Sequence, residues 1–439
     1  MKKYLVIIGI IISLNSYSQT AFQELELLNI KNQHDSALIV ANLLLETDSS
    51  NWQVYYYLGK SYQAKYRFFD AVNALEKANN LDSANARIEN VLARVYDAIG
   101  KNEEAVNIYY DQFLRDSFRI EPIVNLANIF RKMREYGSSA HYYRKATFID
   151  PQNFYYYKHL GFCISKTNLP TKPAMFAYEL AIKLNPYDVI LFQQLSNLYN
   201  SERLFTEAII TCNKGLKNYP TDKQLMKLKA YALYLNREFD SSIVVFNKLL
   251  EYGDSTFFNF KYRGLVHFEK RDFGKAVLDL KMALEHNDQD PETCFFLGSA
   301  LGRSDEHEEG INYLFQTISI ISPPRDELAN IYSEIANIYL NQGNYKKSLD
   351  HLRMAYKKYA SPLISFKMGQ LYDYHLNNKR MAINCYEAYI TLANVPDSLD
   401  LEEGIGNKDF LADPEILKNS GDRIRILKEE LFFESAKKE

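Results

Sequence analysis

Tyr55-Tyr56-Tyr57-Leu58-Gly59-Lys60-Ser61-Tyr62, followed by Ala71, Leu75 and Ala78, is the stretch that decides the fold. Its apolar positions recur at three- and four-residue steps, the pattern of a helix with one buried stripe. Outward from it, the small residue Ala71 has counterparts in both directions: Ala37, Ala105, Ser139, Ala174, Ala208, Ser242, Ala276, Gly310, Ser348 and Ala382. From Ala37 onward the spacings are 34, 34, 34, 35, 34, 34, 34, 34, 38 and 34. A stack of helical hairpins produces that rhythm, and one tiny side chain per hairpin lets neighbouring backbones come close. A single compact domain does not, and single cores stop growing at roughly 250–300 residues.

The skeleton around each small residue resembles the tetratricopeptide repeat (TPR), whose signature is Trp-x2-Leu-Gly-x2-Tyr, then Ala, an aromatic residue and Pro. Tyr55 takes the place of the leading Trp. Leu92-Ala93 with Tyr96, Leu126-Ala127 with Phe130, Leu160-Gly161 with Ile164 and Leu195 with Tyr199 repeat the core of the signature. So do Leu297-Gly298 with Leu301, Ile335-Ala336 with Tyr339 and Met368-Gly369 with Tyr372, while Pro151, Pro186 and Pro220 close units. The resemblance implies an all-α, right-handed α-solenoid of about eleven hairpins with a C-terminal capping helix. A degenerate first repeat falls at 19–51 and ten more units over 52–393. Lys229 and Arg263 stand where leucine is expected, so their units are expected to pack less regularly. Gly100-Lys101-Asn102 and Asn341-Gln342-Gly343-Asn344 are helix-stop and turn chemistry. Pro170 and Pro173 account for the 35-residue step, and Ser322-Pro323-Pro324-Arg325 lies in the 38-residue step, with a seam expected near 319–328.

Residues 1–18 read as an export signal: Lys2 and Lys3, an apolar run from Tyr4 to Leu14, then a small-x-small site at Ser16 and Ser18. The competing reading is an uncleaved anchor, but a span needs about 20 apolar residues. The first cysteine is Cys163, which leaves none for lipid attachment after the leader. The mature chain is expected to be soluble, without a membrane span, and periplasmic or secreted. At the other end, 394–420 is acidic and aperiodic, as in a linker. Over 421–439, Ile424, Leu427 and Leu431 make one apolar stripe opposite Arg423, Arg425, Lys428 and Glu429, which suits a cap. Leu431-Phe432-Phe433 also fits a docking motif.

The net charge is −3, and removal of Lys2 and Lys3 makes it more negative. That excludes the basic surplus of a general nucleic-acid binder. The four cysteines, Cys163, Cys212, Cys294 and Cys385, fall in four units without paired spacing and read as buried thiols. The usage of Asn, Lys, Ile and Tyr resembles that of exported Bacteroidota proteins. No chemistry-bearing motif is complete. Gly59-Lys60-Ser61 has Val54 where a phosphate loop needs glycine, and His307-Glu308-Glu309 has Ile311 where a zinc helix needs histidine. Asp288-Gln289-Asp290 lacks the ending of a calcium loop. No enzyme activity, metal or cofactor is expected.

In TPR proteins the second, fifth, ninth and twelfth positions of each first helix usually face the groove. The resemblance carries these places to Tyr56, Lys60, Arg87, Asn90, Arg94, Asn128, Arg131 and Lys158 in the early units. In the middle units it carries them to Tyr155, Phe162, Tyr231, Tyr234, Phe258, Phe268 and Phe295. Such a groove suits an extended peptide or tail of a protein partner: Asn for its backbone, Arg and Lys for its carboxylates, aromatics for its apolar side chains. The Lys-Asn-Asn-Lys-Arg clamp of some TPR cochaperones is absent, since Val91 occupies an asparagine place. Expected function is a protein-interaction scaffold of the bacterial envelope. Glycan or peptidoglycan binding through the aromatics and a purely structural spacer are the alternatives.

Overall fold

The computed structural model describes residues 19–168, 170–321, 324–394 and 414–436. The expected leader, Ser322-Pro323 and residues 395–413 of the expected linker lie outside them. Among the described residues there is helix and turn but no strand. The chain divides into two compact units between Leu204 and Phe205. In unit 1, α1 (19–30) pairs with α2 (His34–Thr47), α3 (Trp52–Ala64) with α4 (Phe68–Leu81) and α5 (Ala86–Ala98) with α6 (Asn102–Arg115). There α7 (Ile120–Lys132) pairs with α8 (Tyr136–Ile149) and α9 (Phe154–Ser165) with α10 (Lys172–Leu184), before α11 (Val189–Ser201). Unit 2 opens with α12 (Phe205–Asn218), then α13 (Lys223–Leu235) with α14 (Phe239–Glu251) and α15 (Phe257–Glu269) with α16 (Phe273–His286). It continues with α17 (Pro291–Leu301) and α18 (His307–Ile321), α19 (Arg325–Asn341) and α20 (Tyr345–Lys358), α21 (Pro362–Gln370) and α22 (Lys379–Ala393), and ends on α23 (Pro414–Ala436). The fold class is the all-α helical-repeat solenoid read from the sequence.

Within each unit the first (A) helices of successive hairpins touch, as α3 does α5, α9 does α11 and α15 does α17. No hairpin has a core of its own. Leu25, Ala37, Leu44, Val54, Leu58 and Ala74, from two successive hairpins, form one buried cluster. Fully burying a leucine contributes roughly 1.5–3 kcal/mol, and here it depends on the neighbouring hairpin being present. All eleven small marker residues are buried. Where the marker is serine, its hydroxyl donates to an A-helix carbonyl: Ser139 to Ala127 (2.7 Å), Ser242 to Ala230 (2.8 Å) and Ser348 to Ala336 (2.8 Å).

Helix starts follow side-chain chemistry. Asn51, Asn85, Asn153, Asp188, Asp222 and Asp290 each accept a backbone N–H just inside an A helix. In most hairpins the bend to the second (B) helix passes through one left-handed residue. It is glycine at Gly100 and Gly343, but Tyr66, Arg134, Arg203, Arg237 and Arg271 take the same conformation. Sequence reading located the bends that carry glycine.

Two departures have local causes. Arg263, in the leucine place, does not disturb its hairpin, because its guanidinium makes a two-pronged contact with the buried Asp279 (Nε to Oδ2, 2.7 Å) and reaches Asn247 Oδ1 (2.7 Å). The last hairpin carries one residue more between Gly369 and Ala382 than separates Gly59 from Ala71. The chain absorbs it as a π-turn over Leu371–His375.

The final helix starts at Pro414, so it includes 414–420 of the stretch expected as linker. Pro suits a first helical turn, and Gly421 lies inside the helix instead of breaking it. Ile424 and Leu427 are buried against Leu349, Tyr372, Ile383 and Tyr386, with Leu431 packed beside them. Arg423 grips Asp373 with two hydrogen bonds (2.8 and 2.7 Å). Phe432 and Phe433 are exposed. The four cysteines are buried thiols outside any disulfide, and burial pushes the Cys294 thiol up to about 11.

Candidate functional site

Most polar groups on the A-helix face of unit 1 are already committed. The Lys60 ammonium lies 5.6 Å from the Tyr56 ring and 5.8 Å from the Tyr57 ring. Asn90 donates to Glu121 Oε1 (2.9 Å) and accepts from Gln112 (3.0 Å). Arg94 Nε turns back to the Asn90 carbonyl (3.1 Å). Asn128 Oδ1 accepts from two phenols, Tyr143 (2.7 Å) and Tyr155 (3.1 Å). Lys158 donates to Asp188 (2.6 Å), the residue that caps α11. In unit 2, Lys227 with Asp254 (2.9 Å) and Lys261 with Asp290 (2.9 Å) likewise tie an A-helix lysine to an aspartate near the start of the next A helix. Lys158, Lys227 and Lys261 therefore link repeat to repeat. Arg87 is exposed, at the start of α5.

One place differs. A cleft of about 210 Å³ opens between α7, α9 and α11, lined by Arg131, Lys158, His159, Phe162, Tyr178 and Gln194, with Ile190 and Leu191 as apolar wall. Arg131 lies beside the Tyr143 hydroxyl, yet its Nε is buried without a hydrogen-bond partner, and no described carboxylate lies within 4 Å of its guanidinium. Tyr178, on α10, is 1% exposed and packs its ring over Gly161. The neighbouring Ser165 hydroxyl gives its hydrogen to the Phe162 carbonyl (2.8 Å), and no group meets hydrogen-bond geometry at the Tyr178 oxygen. His159 sits between the rings of Tyr143 (5.4 Å) and Tyr155 (4.2 Å). Burial, then Arg131 and Lys158, push its pKa down to about 4, so it is neutral at pH 7.

Of the residues expected in the groove, Arg131, Lys158 and Phe162 thus meet in one cleft. His159, Tyr178 and Gln194 join them and were missed. The available signal was the aromatic place four residues after the marker, which holds tyrosine three times running: Tyr109, Tyr143 and Tyr178. A tyrosine there fills the core with its ring and delivers a hydroxyl beyond it.

The aromatics of unit 2 pack on one another. Tyr262 meets Phe258 at 4.6 Å, Tyr231 at 4.9 Å and Tyr234 at 6.0 Å, with ring planes 52–70° apart. Phe258, Tyr234 and Tyr262 lie against the core of Met226, Phe246 and Val266. Phe268 packs edge-on against Phe273 and Phe296 beneath Arg303. These rings form no flat platform. Phe295 lines a separate cleft of about 420 Å³ with Pro291, Thr317 and Ile331. Among the described residues no cluster of His, Cys, Asp and Glu could hold a metal, and no helix is long and apolar enough to cross a membrane.

Hairpins stacked through shared cores and small-residue crossings define a helical-repeat protein. The tetratricopeptide repeat family profile matches residues 120–153, which span α7 and α8. TPR repeat-containing protein YpiA of Bacillus subtilis is 24% identical over 75% of this chain and 77% of its own length. A TPR repeat-containing protein of Methanocaldococcus jannaschii is 24% identical over 53% of this chain and 38% of its own length. Among solved structures, the APC/C hetero-tetramer Cut9-Hcn1 aligns at 12% identity with a TM-score of 0.43, over 92% of this chain and 96% of that one. The chain thus carries a tetratricopeptide repeat at 120–153 and is similar to tetratricopeptide repeat proteins over most of its length. Proteins of this class are generally non-enzymatic scaffolds for protein–protein interaction.

Proposed function

We propose that this chain is an exported, non-enzymatic scaffold of the bacterial envelope that holds extended segments of partner proteins along the A-helix face of unit 1. The observation that supports this reading is the cleft at Arg131, lined by a guanidinium whose Nε and a phenol whose hydroxyl lack hydrogen-bond partners, while Asn128 and Lys158 beside them are bonded within the stack. A spacer would gain nothing from leaving donors unsatisfied there. The leader-like residues 1–18 support export, and N-terminal sequencing of the mature protein tests it: a start at Gln19 is expected.

Charge reversal tests the binding face. Arg87→Glu with Arg131→Glu alters two guanidiniums that no described carboxylate neutralises, so helicity by circular dichroism should be retained. Crosslinked partners recovered with the wild-type chain from native envelope should be lost with the double variant. Recovery of the same partners by both would defeat the proposal.

A further inference from the structure

We infer that the cleft between α7, α9 and α11 is a receptor for one carboxylate side chain, of glutamate type, carried within a partner's segment; this rests on the scaffold reading above and names what its central cleft takes. The cleft is rich in hydrogen-bond donors and carries no carboxylate in its lining. Arg131 brings a guanidinium with a buried, unpaired Nε, and Tyr178, itself 1% exposed, brings a hydroxyl that no group meets in hydrogen-bond geometry. The Gln194 amide lines the same space. An unsatisfied buried hydroxyl destabilises the fold, and phenylalanine would fill the same place, as Phe246 does four residues after Ser242. A tyrosine retained at that cost is explained by a ligand that accepts its hydrogen.

Charge selects the ligand. Lys158 is matched by Asp188 at 2.6 Å. His159 faces Arg131 from α7, Tyr143 from α8, Tyr155 and Lys158 on its own helix, and Asp188 at the start of α11, and it is neutral. One positive charge, that of Arg131, is left over. It suits a carboxylate monoanion better than a phosphate dianion, which Asp188 would also repel. Size and lining select the source. About 210 Å³ takes one side chain, and Phe162, Ile190 and Leu191 cover a methylene stem that a chain-terminal carboxylate lacks.

The test uses the mature full-length chain labelled with ¹³C-histidine, titrated with three blocked or free tripeptides: Ac-Ala-Glu-Ala-NH2, Ac-Ala-Gln-Ala-NH2 and Ac-Ala-Ala-Ala-OH. The Glu peptide should shift the His159 signal saturably and raise the His159 pKa from about 4, because a carboxylate beside an imidazole favours its charged form. The Gln peptide and the free-carboxylate peptide should not. Tyr178→Phe should weaken Glu-peptide binding about ten-fold, the value of roughly one hydrogen bond to a charged group, while Tm stays equal or rises. Arg131→Gln should abolish binding. Equal response to the Gln peptide, response to the free terminus alone, no response to any peptide, or an unchanged affinity in Tyr178→Phe would each overturn the inference. If Tyr178→Phe recovers the wild-type partners and Arg87→Glu/Arg131→Glu does not, the scaffold reading stands without the carboxylate cleft.

Discussion

Gly310 shows how far a single position departs from its repeat. Alanine is the commonest residue at the marker place, so the repeat alone recommends Gly310→Ala. Yet a Cβ there would meet the Gly298 carbonyl at 2.8 Å and the Gly302 nitrogen at 3.0 Å. Both are backbone atoms and cannot swing aside. Gly310→Ala should therefore cost about 1–3 kcal/mol, as overpacking does, read as a lower denaturant midpoint; an unchanged midpoint would refute the close crossing. The same logic covers the left-handed bends. Arginine and tyrosine at Arg134, Arg203, Arg237, Arg271 and Tyr66 hold a conformation that favours glycine, so the bends were invisible to a search for Gly and Pro. The stack imposes them, since A and B helices must both bury their stripes.

Between helices, Arg263 and Asp279 make the clearest case of one position explaining another. The arginine looked like a defect in the signature because its partner, sixteen residues on, lies on the next helix. Arg263→Leu restores the signature but leaves Asp279 buried and unmatched, with His267 Nε2 at 3.9 Å. Breaking a buried pair costs about 3–5 kcal/mol, whereas replacing both partners by apolar residues is often neutral. Arg263→Leu should destabilise the chain strongly, and Arg263→Leu with Asp279→Leu should recover most of the loss; additive losses in thermal unfolding would contradict this. The π-turn at Leu371–His375 is a further case, where one inserted residue is taken up within a helix and not in a loop. Sequence spacing reveals the insertion but not where it is absorbed, because that depends on which backbone hydrogen bonds the packed neighbours tolerate.

Across the chain, stability is a sum of neighbour contacts, and α23 supplies the last of them. Removing residues 414–439 should uncover Tyr372, Ile383 and Tyr386, which Ile424 and Leu427 cover. Hydrogen exchange should then accelerate in α21 and α22 while α13 to α16 keep their protection. Uniform loss throughout unit 2 would refute nearest-neighbour behaviour.

Repeat period, helix type, hairpin count and buried markers were legible in the residues themselves, because helical periodicity and small crossing residues are local and recur eleven times. Which groove groups remain available for a ligand was decided by tertiary packing alone. Asn90, Asn128 and Lys158 have the residue types of a binding face, but their partners stand 15 to 31 residues away, on or at the start of neighbouring helices, while Arg94 turns back onto its own helix. A side chain's type says what it can bond; only the arrangement of its neighbours says whether that bond is already made.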